Sequence, residues 1–131
     1  MQIRAATMDD AQRLFAWRND PLTREMSKNA EPVSWDCHFD WLSKRLARVE
    51  PRLYMIEQDG IPVATYRIDG VNEISYTVAP EFRFRGIASA LLVEALKRHG
   101  PLRAEIFRDN YGSIKAASRA GVHIIHLDRS E

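Results

Sequence analysis

Hydrophobic residues along this chain follow two spacings, which separate predicted strands from predicted helices. Alternation of apolar and polar residues predicts strands, whereas apolar residues three and four positions apart predict helices. The segment 22–32 has no clear periodicity and is predicted as a loop or a loose turn of helix. The predicted helices lie between residues 7 and 20, 34 and 50, 86 and 100, and 109 and 121. The predicted strands cover residues 2–6, 52–58, 61–69, 71–79, 102–107 and 122–127.

Two Asp-Gly pairs, Asp59-Gly60 and Asp69-Gly70, separate the three strands in the middle of the chain. Such pairs favour tight hairpin turns, because both residue types tolerate the left-handed backbone conformation. These three strands are therefore expected to be antiparallel neighbours. The order of elements predicts a mixed α/β fold with a mainly antiparallel central sheet flanked by helices, in a single domain over residues 1–131.

Composition and charge exclude several classes of protein. The chain is 45% hydrophobic and 28% charged, which is ordinary for a globular domain, and its net charge of +1 argues against a nucleic-acid-binding surface. No segment has the apolar character of a signal peptide or a membrane span, so we expect a cytoplasmic protein that does not contact a membrane. Cys37 is the only cysteine, and His123 and His126 would point to opposite faces of a strand, so no metal site is expected.

The strongest candidate for a binding site is the segment between the fourth strand and the third helix, which contains the pattern Arg83-x-x-Gly86-x-Ala88. The first N–H groups of a helix have no partner within the helix, and the helix dipole adds positive potential, so such a start binds anions. We expect a diphosphate to bind there through the backbone, with added charge from two arginines. The predicted contact residues are Arg83, Phe84, Arg85, Gly86, Ile87, Ala88 and Ser89.

This pattern, placed between a strand and a helix, resembles the pyrophosphate-binding segment of the GNAT superfamily of acetyl-coenzyme A-dependent N-acetyltransferases. The order of elements is also similar to that fold. The resemblance implies an acyltransferase that uses acetyl-coenzyme A and no metal. It further implies that the preceding strand exposes backbone groups to the pantetheine arm at Thr77 and Val78, with the N–H of Val78 polarising the thioester carbonyl. It also implies a pantetheine contact at Asn110, for which an N-cap role is the alternative.

Candidates for acid–base chemistry follow from the same resemblance. Several branches of the family have a general base at about the place of Glu73, and the alternative is a solvated residue just after a turn. Many relatives have a tyrosine general acid where this chain has Ala117, so no residue is predicted as the acid. The family fold usually continues into one more strand. Either the sheet is shortened here, or a partner subunit in a homodimer supplies the missing edge.

The N-terminal half carries a further resemblance. The run Trp17-Arg18-Asn19-Asp20-Pro21, followed by Val33-Ser34 and His38-x-x-Trp41, is similar to the branch containing ribosomal-protein N-terminal acetyltransferases and amino-sugar N-acetyltransferases of nucleotide-sugar pathways. It implies a small-molecule amine as acceptor, such as a nucleotide-linked amino sugar, or else a protein α-amine. The implied substrate contacts are Arg18, Asn19 and His38, with capping and packing as the alternatives. A third alternative is a module that binds acyl-coenzyme A without turnover.

Overall fold

Six strands form one open sheet, in sequence order, in the computed structural model, which describes residues 1–129. The first four strands are antiparallel to one another, whereas the fifth is parallel to the fourth and the sixth to the fifth. The predicted mixed α/β fold with a mainly antiparallel sheet is confirmed. The last two residues of the predicted 1–131 domain lie outside the described range. The strands are β1 (Gln2–Ala5), β2 (Leu53–Gln58), β3 (Ile61–Asp69), β4 (Glu73–Val78), β5 (Arg103–Phe107) and β6 (His123–Leu127).

Helices cover both faces of this sheet. Among residues 1–129, β6 pairs only with β5, so a further strand from a partner subunit stays a prediction. Short 3-10 turns precede the first helix, at Met8–Asp10, and follow β4, at Pro80–Phe82. The helices are α1 (Ala11–Asn19), α2 (Pro21–Glu25), α3 (Trp35–Leu46), α4 (Ile87–His99) and α5 (Tyr111–Ala120).

Alternation along the strands divides the core into two layers. On β2, Leu53 and Met55 pack with the layer that contains α1 and α3, whereas Ile56 packs with the layer that contains α4 and α5. Successive side chains of a strand point to opposite faces, so a strand with both faces covered buries most of its residues. The sheet is therefore enclosed between α1–α3 on one face and α4–α5 on the other.

The turns explain where the strands begin and end. Asp59 and Gly60 both have positive φ, 52° and 77°, and join β2 to β3 as predicted. The second turn is longer, because Asn72 also has a positive φ of 58°, so β4 begins at Glu73 and not at residue 71. The short helix α2 begins at Pro21 and extends into the aperiodic segment 22–32 as far as Glu25.

A buried carboxylate connects the 3-10 turn before α1 to β1. Asp10 is 1% exposed, and its carboxylate accepts two hydrogen bonds from Arg4 at 2.8 Å, one from the Thr7 N–H at 3.0 Å and one from Arg13 at 3.1 Å. Burial by itself would raise the pKa of Asp10. The hydrogen bonds from Arg4 and Thr7, together with the charges of both arginines, outweigh burial and hold that pKa below its ordinary value.

Asp10→Asn is expected to lower the free energy of unfolding by about 1.5–3 kcal/mol at neutral pH, since it removes charged hydrogen bonds from a buried group. The folded pKa is depressed, so the contribution of Asp10 is present above the ordinary carboxyl pKa and is lost as the pH falls through the folded pKa. The difference between the two proteins should therefore shrink in acid. Denaturant unfolding at several pH values measures this, with exposed Asp9→Asn as the control. If the difference in the free energy of unfolding did not change with pH, the lowered pKa assigned to Asp10 would be wrong.

Candidate functional site

The central strands β4 and β5 separate after a single pair of residues. Glu73 and Arg103 form that pair, and the Arg103 N–H donates to the Asn72 carbonyl at 2.9 Å. Beyond it, β4 continues to Val78 without a partner on this side, although β3 pairs with β4 along its whole length. A wedge-shaped gap therefore opens between the two strands toward the C-terminal end of β4.

Backbone groups of β4 face this gap at alternate residues. The Ala79 N–H, just after β4, donates to β3 at 2.8 Å, and backbone groups alternate sides along a strand. The backbone groups of Thr77, two residues earlier, therefore also face β3. Those of Tyr76 and Val78 face the gap, where β5 offers no partner. Of the two predicted backbone contacts on this strand, Val78 faces the gap, and its contact with the cofactor stays a prediction. The backbone of Thr77 faces β3 instead, whereas that of Tyr76, which was not predicted, faces the gap.

Backbone N–H groups also line the loop and the first turn of α4. Those of Phe84 through Ser89 make no hydrogen bond with any residue in 1–129, whereas the Ala90 N–H donates to the Gly86 carbonyl at 3.1 Å. Phe84 and Gly86 have positive φ, 64° and 76°, a backbone form that gathers successive N–H groups into an anion-binding concavity. At the positive end of a helix dipole, these free donors suit a diphosphate. The residues present therefore fit the diphosphate of coenzyme A.

The two arginines of the loop have different surroundings. Arg83 forms an ion pair with Asp20, the N-cap of α2, and donates to Thr23 Oγ1 at 3.1 Å. Its charge is therefore neutralised within the protein, which corrects the prediction that it brings free charge to the diphosphate. Arg83 instead ties the loop to α2. Arg85 is exposed, lies over the Phe82 ring at 5.4 Å and has no ion pair within residues 1–129.

The remaining loop residues offer their backbone more than their side chains. Ile87 is 3% exposed, so its side chain anchors the start of α4 in the core. Phe84 is fully exposed at the tip of the loop. Ala88 and Ser89 are half-buried in the first turn. Cofactor contacts by these four residues stay predictions, with the backbone N–H groups as the available donors.

Two residues hold α5 at the far side of the gap. The side chain of Asn110 accepts a hydrogen bond from the Ser113 N–H at 3.4 Å, so the N-cap alternative describes its position. The Tyr76 hydroxyl hydrogen-bonds to the Ser113 hydroxyl and lies 3.4 Å from the Ser113 carbonyl oxygen, and burial raises the pKa of Tyr76. Tyr76 therefore links β4 to the start of α5. A pantetheine contact at Asn110 stays a prediction.

Glu73 lies beside Glu105 of β5, close to the point where the strands part. A hydrogen bond with Glu105 raises the pKa of Glu73, and burial and the like charge of Glu105 add to this effect. Lys28 Nζ lies 2.8 Å from a Glu105 carboxylate oxygen. Hydrogen bonds from Lys28 and Glu73 lower the pKa of Glu105. The pair therefore takes up its first proton on Glu73, while Glu105 stays ionised beside Lys28.

Glu105 and Lys28 are functional candidates that sequence reasoning missed. Glu105 is one of several polar positions in an alternating strand, and Lys28 lies in the aperiodic segment 22–32. Parallel pairing of β4 with β5 brings Glu105 beside Glu73, and this register is not written in either strand alone. A signal in the sequence that could have found Glu105 is a second carboxylate on the predicted strand 102–107.

The side chain of Asn19 forms its hydrogen bonds within the protein. Its amide nitrogen donates to the Val33 carbonyl and its amide oxygen accepts from the Val33 N–H, both at 2.9 Å. This pair of bonds fastens the end of α1 to the segment before α3. A substrate contact by Asn19 stays a prediction, and its observed role is to position that segment.

The predicted substrate contact of His38 is corrected by its burial. The ring is 1% exposed, and its Nε2 lies 3.0 Å from the Ala11 carbonyl oxygen. Burial lowers the pKa of His38 despite that hydrogen bond, so the ring is neutral at pH 7. The alternative of a packing role is the one that the structure supports. The ring lies against Phe15, Trp35 and Trp41.

No side chain is identified as a general acid. Ala117, at the position of the expected tyrosine, is fully buried in α5, and Tyr111, six residues earlier, is 77% exposed. Within residues 1–129, no three His, Cys, Asp or Glu side chains are grouped to hold a metal ion. None of the helices described there is long and apolar enough to cross a bilayer.

The comparison with protein families identifies one domain. A family model described as the acetyltransferase (GNAT) domain matches residues 1–123. This match includes the gap, the loop and the Glu73–Glu105 pair. A search of the curated proteins found no match.

Solved structures of acetyltransferases share this fold. An N-acetyltransferase from Staphylococcus aureus Mu50 is 25% identical with a TM-score of 0.71, over 92% of this chain and 81% of that one. A ribosomal-protein-alanine N-acetyltransferase from Brucella melitensis is 28% identical with a TM-score of 0.69, over 92% and 83%. A putative acetyltransferase from Salmonella typhimurium, solved with its cofactor acetyl-CoA, is 21% identical with a TM-score of 0.72, over 92% and 78%. The last of these shows similarity of fold.

Arg85→Gln is expected to weaken the binding of coenzyme A about two- to fivefold, since an exposed charge near a phosphate contributes roughly 0.5–1 kcal/mol. The loss should shrink as salt is added, because salt screens exposed charges. Isothermal titration calorimetry at two ionic strengths measures both effects. Arg119→Gln, exposed in the last turn of α5, is the matched control. Equal affinities for the two variants would contradict a role of Arg85 in binding.

Proposed function

Because this chain belongs to the GNAT acetyltransferase family and is an acetyl-coenzyme A-dependent N-acetyltransferase, we propose that a primary amine attacks the acetyl group directly, without an acyl-enzyme. The observation that carries this proposal is the gap between β4 and β5, with free backbone donors along one side and a carboxylate pair at its closed end. Acetyl-coenzyme A supplies an activated acetyl thioester. The protein binds it, orients it, offers hydrogen-bond donors and accepts a proton.

Binding and orientation belong to the loop and to β4. The N–H groups of Arg85 through Ser89, aided by the side chain of Arg85, would hold the diphosphate. The N–H groups of Tyr76 and Val78 point into the gap and would hold the pantetheine arm and the thioester carbonyl. Fixed donors aimed at an oxygen that gains negative charge are a strong source of catalysis, because no reorganisation is needed during the reaction.

Proton transfer belongs to the carboxylate pair. Glu73 is the better acceptor, because its raised pKa makes it the more basic member of the pair near neutral pH. Glu105 supports it by sharing a proton and by its ion pair with Lys28. The amine would give up its proton to Glu73, directly or through water. We assign no side chain as the general acid.

The acceptor that we propose first is an amino sugar linked to a nucleotide, as the similarity of the N-terminal half implies. A protein α-amine is the second candidate, and the name of the Brucella melitensis neighbour favours it. Since the chain is an acyltransferase, the alternative of a module without turnover has no support. Assembly as a homodimer remains part of the proposal.

Release of free coenzyme A thiol across a panel of amines tests the proposal. The panel contains nucleotide-linked amino sugars, peptides with free α-amines and simple amines, each compared with an amine-free blank. Glu73→Gln should reduce kcat about a hundredfold or more with the best acceptor, since a positioned base contributes that much. Exposed Glu81→Gln is the control. Coenzyme A binding without thiol release from any amine would contradict the proposed reaction.

Glu105→Gln is expected to move the acidic limb of the kcat profile to lower pH. Glu105 raises the pKa of Glu73, so its removal lets Glu73 ionise at lower pH and remain a proton acceptor there. Measurement of kcat at saturating acceptor over a pH series checks this, with Glu81→Gln again as the control. An acidic limb that stays in place would show that Glu73 does not govern it.

A further inference from the structure

Two arginines lie against one tryptophan on the α1–α3 face of the sheet. Arg18 comes from α1, Trp41 from α3 and Arg67 from β3. The guanidinium carbon of Arg18 lies 5.3 Å from the centroid of the Trp41 ring, and that of Arg67 lies 5.8 Å from it. Attraction to the ring face contributes to holding both cations there. Three separate elements thus bring two like charges together.

The positive charge in this region exceeds the negative charge. Arg67 donates to Asp69 at 2.9 Å, and the same carboxylate also pairs with Arg45, which is 3% exposed. One carboxylate therefore serves two arginines. Arg18 makes no hydrogen bond or ion pair with any residue in 1–129, and the residue is exposed. Three guanidinium groups and one carboxylate leave an excess of two positive charges.

Such an arrangement costs free energy in the absence of an anion. Partial burial and the neighbouring charge of Arg67 lower the pKa of Arg18, which shows that its charged form is disfavoured where it lies. Each nitrogen of the buried Arg45 guanidinium donates to Asp69 or to a backbone carbonyl oxygen, including that of Ile68 at 3.0 Å. Arg18 and Arg67 therefore retain free N–H donors, and these donors suit a carboxylate or a phosphate.

The excess charge lies next to the carboxylate pair of the reaction site. Arg67 is directly opposite Ser75 on β4, and Asp69 is directly opposite Glu73. Side chains at alternate positions of a strand share one face, so Arg67 and Glu73 occupy neighbouring rows about 7 Å apart. The charge of Arg67 also acts on Lys28, the partner of Glu105. A ligand of modest length can contact both groups.

We propose that Arg18, Trp41 and Arg67 form an anion subsite for the acceptor, so that the acceptor is a primary amine that also carries a carboxylate or a phosphate. This inference rests on the proposed acetyl transfer to an amine. The amine would lie at the Glu73–Glu105 pair and the anion at the two arginines. The opposite charges of the two ends fix the direction of the acceptor. A neutral amine would lack the second contact.

The test compares acceptors that differ only in the anionic group. Phosphoethanolamine is paired with ethanolamine, and a series of ω-amino carboxylates is paired with the corresponding amides. In at least one of the two sets, the wild-type protein should have a kcat/KM about tenfold or more higher for the charged acceptor than for its neutral partner. The reason is that a charged hydrogen bond contributes roughly 1.5–3 kcal/mol. The set with the larger ratio of kcat/KM between charged and neutral acceptors shows whether the subsite binds phosphate or carboxylate better.

Substitutions show which residues cause the preference for charged acceptors. Arg18→Gln and Arg67→Gln should each remove most of the preference, mainly by raising KM for the charged member. Arg18→Lys should restore part of it, because the charge remains but the planar pair of donors does not. Arg119→Gln is the control and should keep the full preference. Turnover with equal kcat/KM for both members of every pair would overturn the anion subsite and leave the proposed reaction standing.

A second readout covers the case in which no amine is turned over, which would contradict the proposed reaction. Saturating coenzyme A fills the diphosphate loop, so a further rise in melting temperature on adding inorganic phosphate reports another anion site. Wild type should show this rise, and the Arg18→Gln, Arg67→Gln double variant should not. No rise in the wild type, or an equal rise in both proteins, would overturn the anion subsite.

Discussion

A sheet whose central strands part after one pair of residues must satisfy the backbone groups left along the opening. The N–H groups of Tyr76 and Val78 face such an opening, and β5 is too far away to accept from them. A buried donor without a partner costs free energy, so these groups require water or a ligand. The opening leads to the start of α4, where further N–H groups are free. Two groups of donors, one on β4 and one at the start of α4, thus lie on either side of the turn at Pro80–Phe82.

The same geometry links the cofactor side of the protein to the acceptor side. Arg83 belongs to the diphosphate loop but pairs with Asp20, which caps α2. Asn19, next to that cap, is bonded to Val33 ahead of α3. The acceptor side therefore shares its support with the loop that binds the cofactor. On that side, charge is divided between the carboxylates beside Lys28 and the arginines beside Trp41.

The sequence predicted those features that depend on neighbours along the chain. Alternating residues and the Asp59-Gly60 turn specify the antiparallel strands, and the pattern around Gly86 specifies the loop before α4. Features that depend on distant pairing were not predictable. The role of Glu105 depends on strand register, and the ion pair of Arg83 depends on Asp20, which is 63 residues away along the chain. The sequence leaves both substrate contact and packing open for His38, because burial of a helical histidine depends on which helix covers it.

Amide chemical shifts measured during titration with coenzyme A show which backbone donors bind the cofactor. We expect the amide signals of Tyr76, Val78 and residues 84–89 to move on binding, whereas that of Ala79, already bonded to β3, moves less. The opposite end of α4, where Tyr54 and His99 line a concave surface, should be unaffected. Shifts concentrated at that end, with the gap and loop signals unchanged, would rule out binding of the cofactor in the gap.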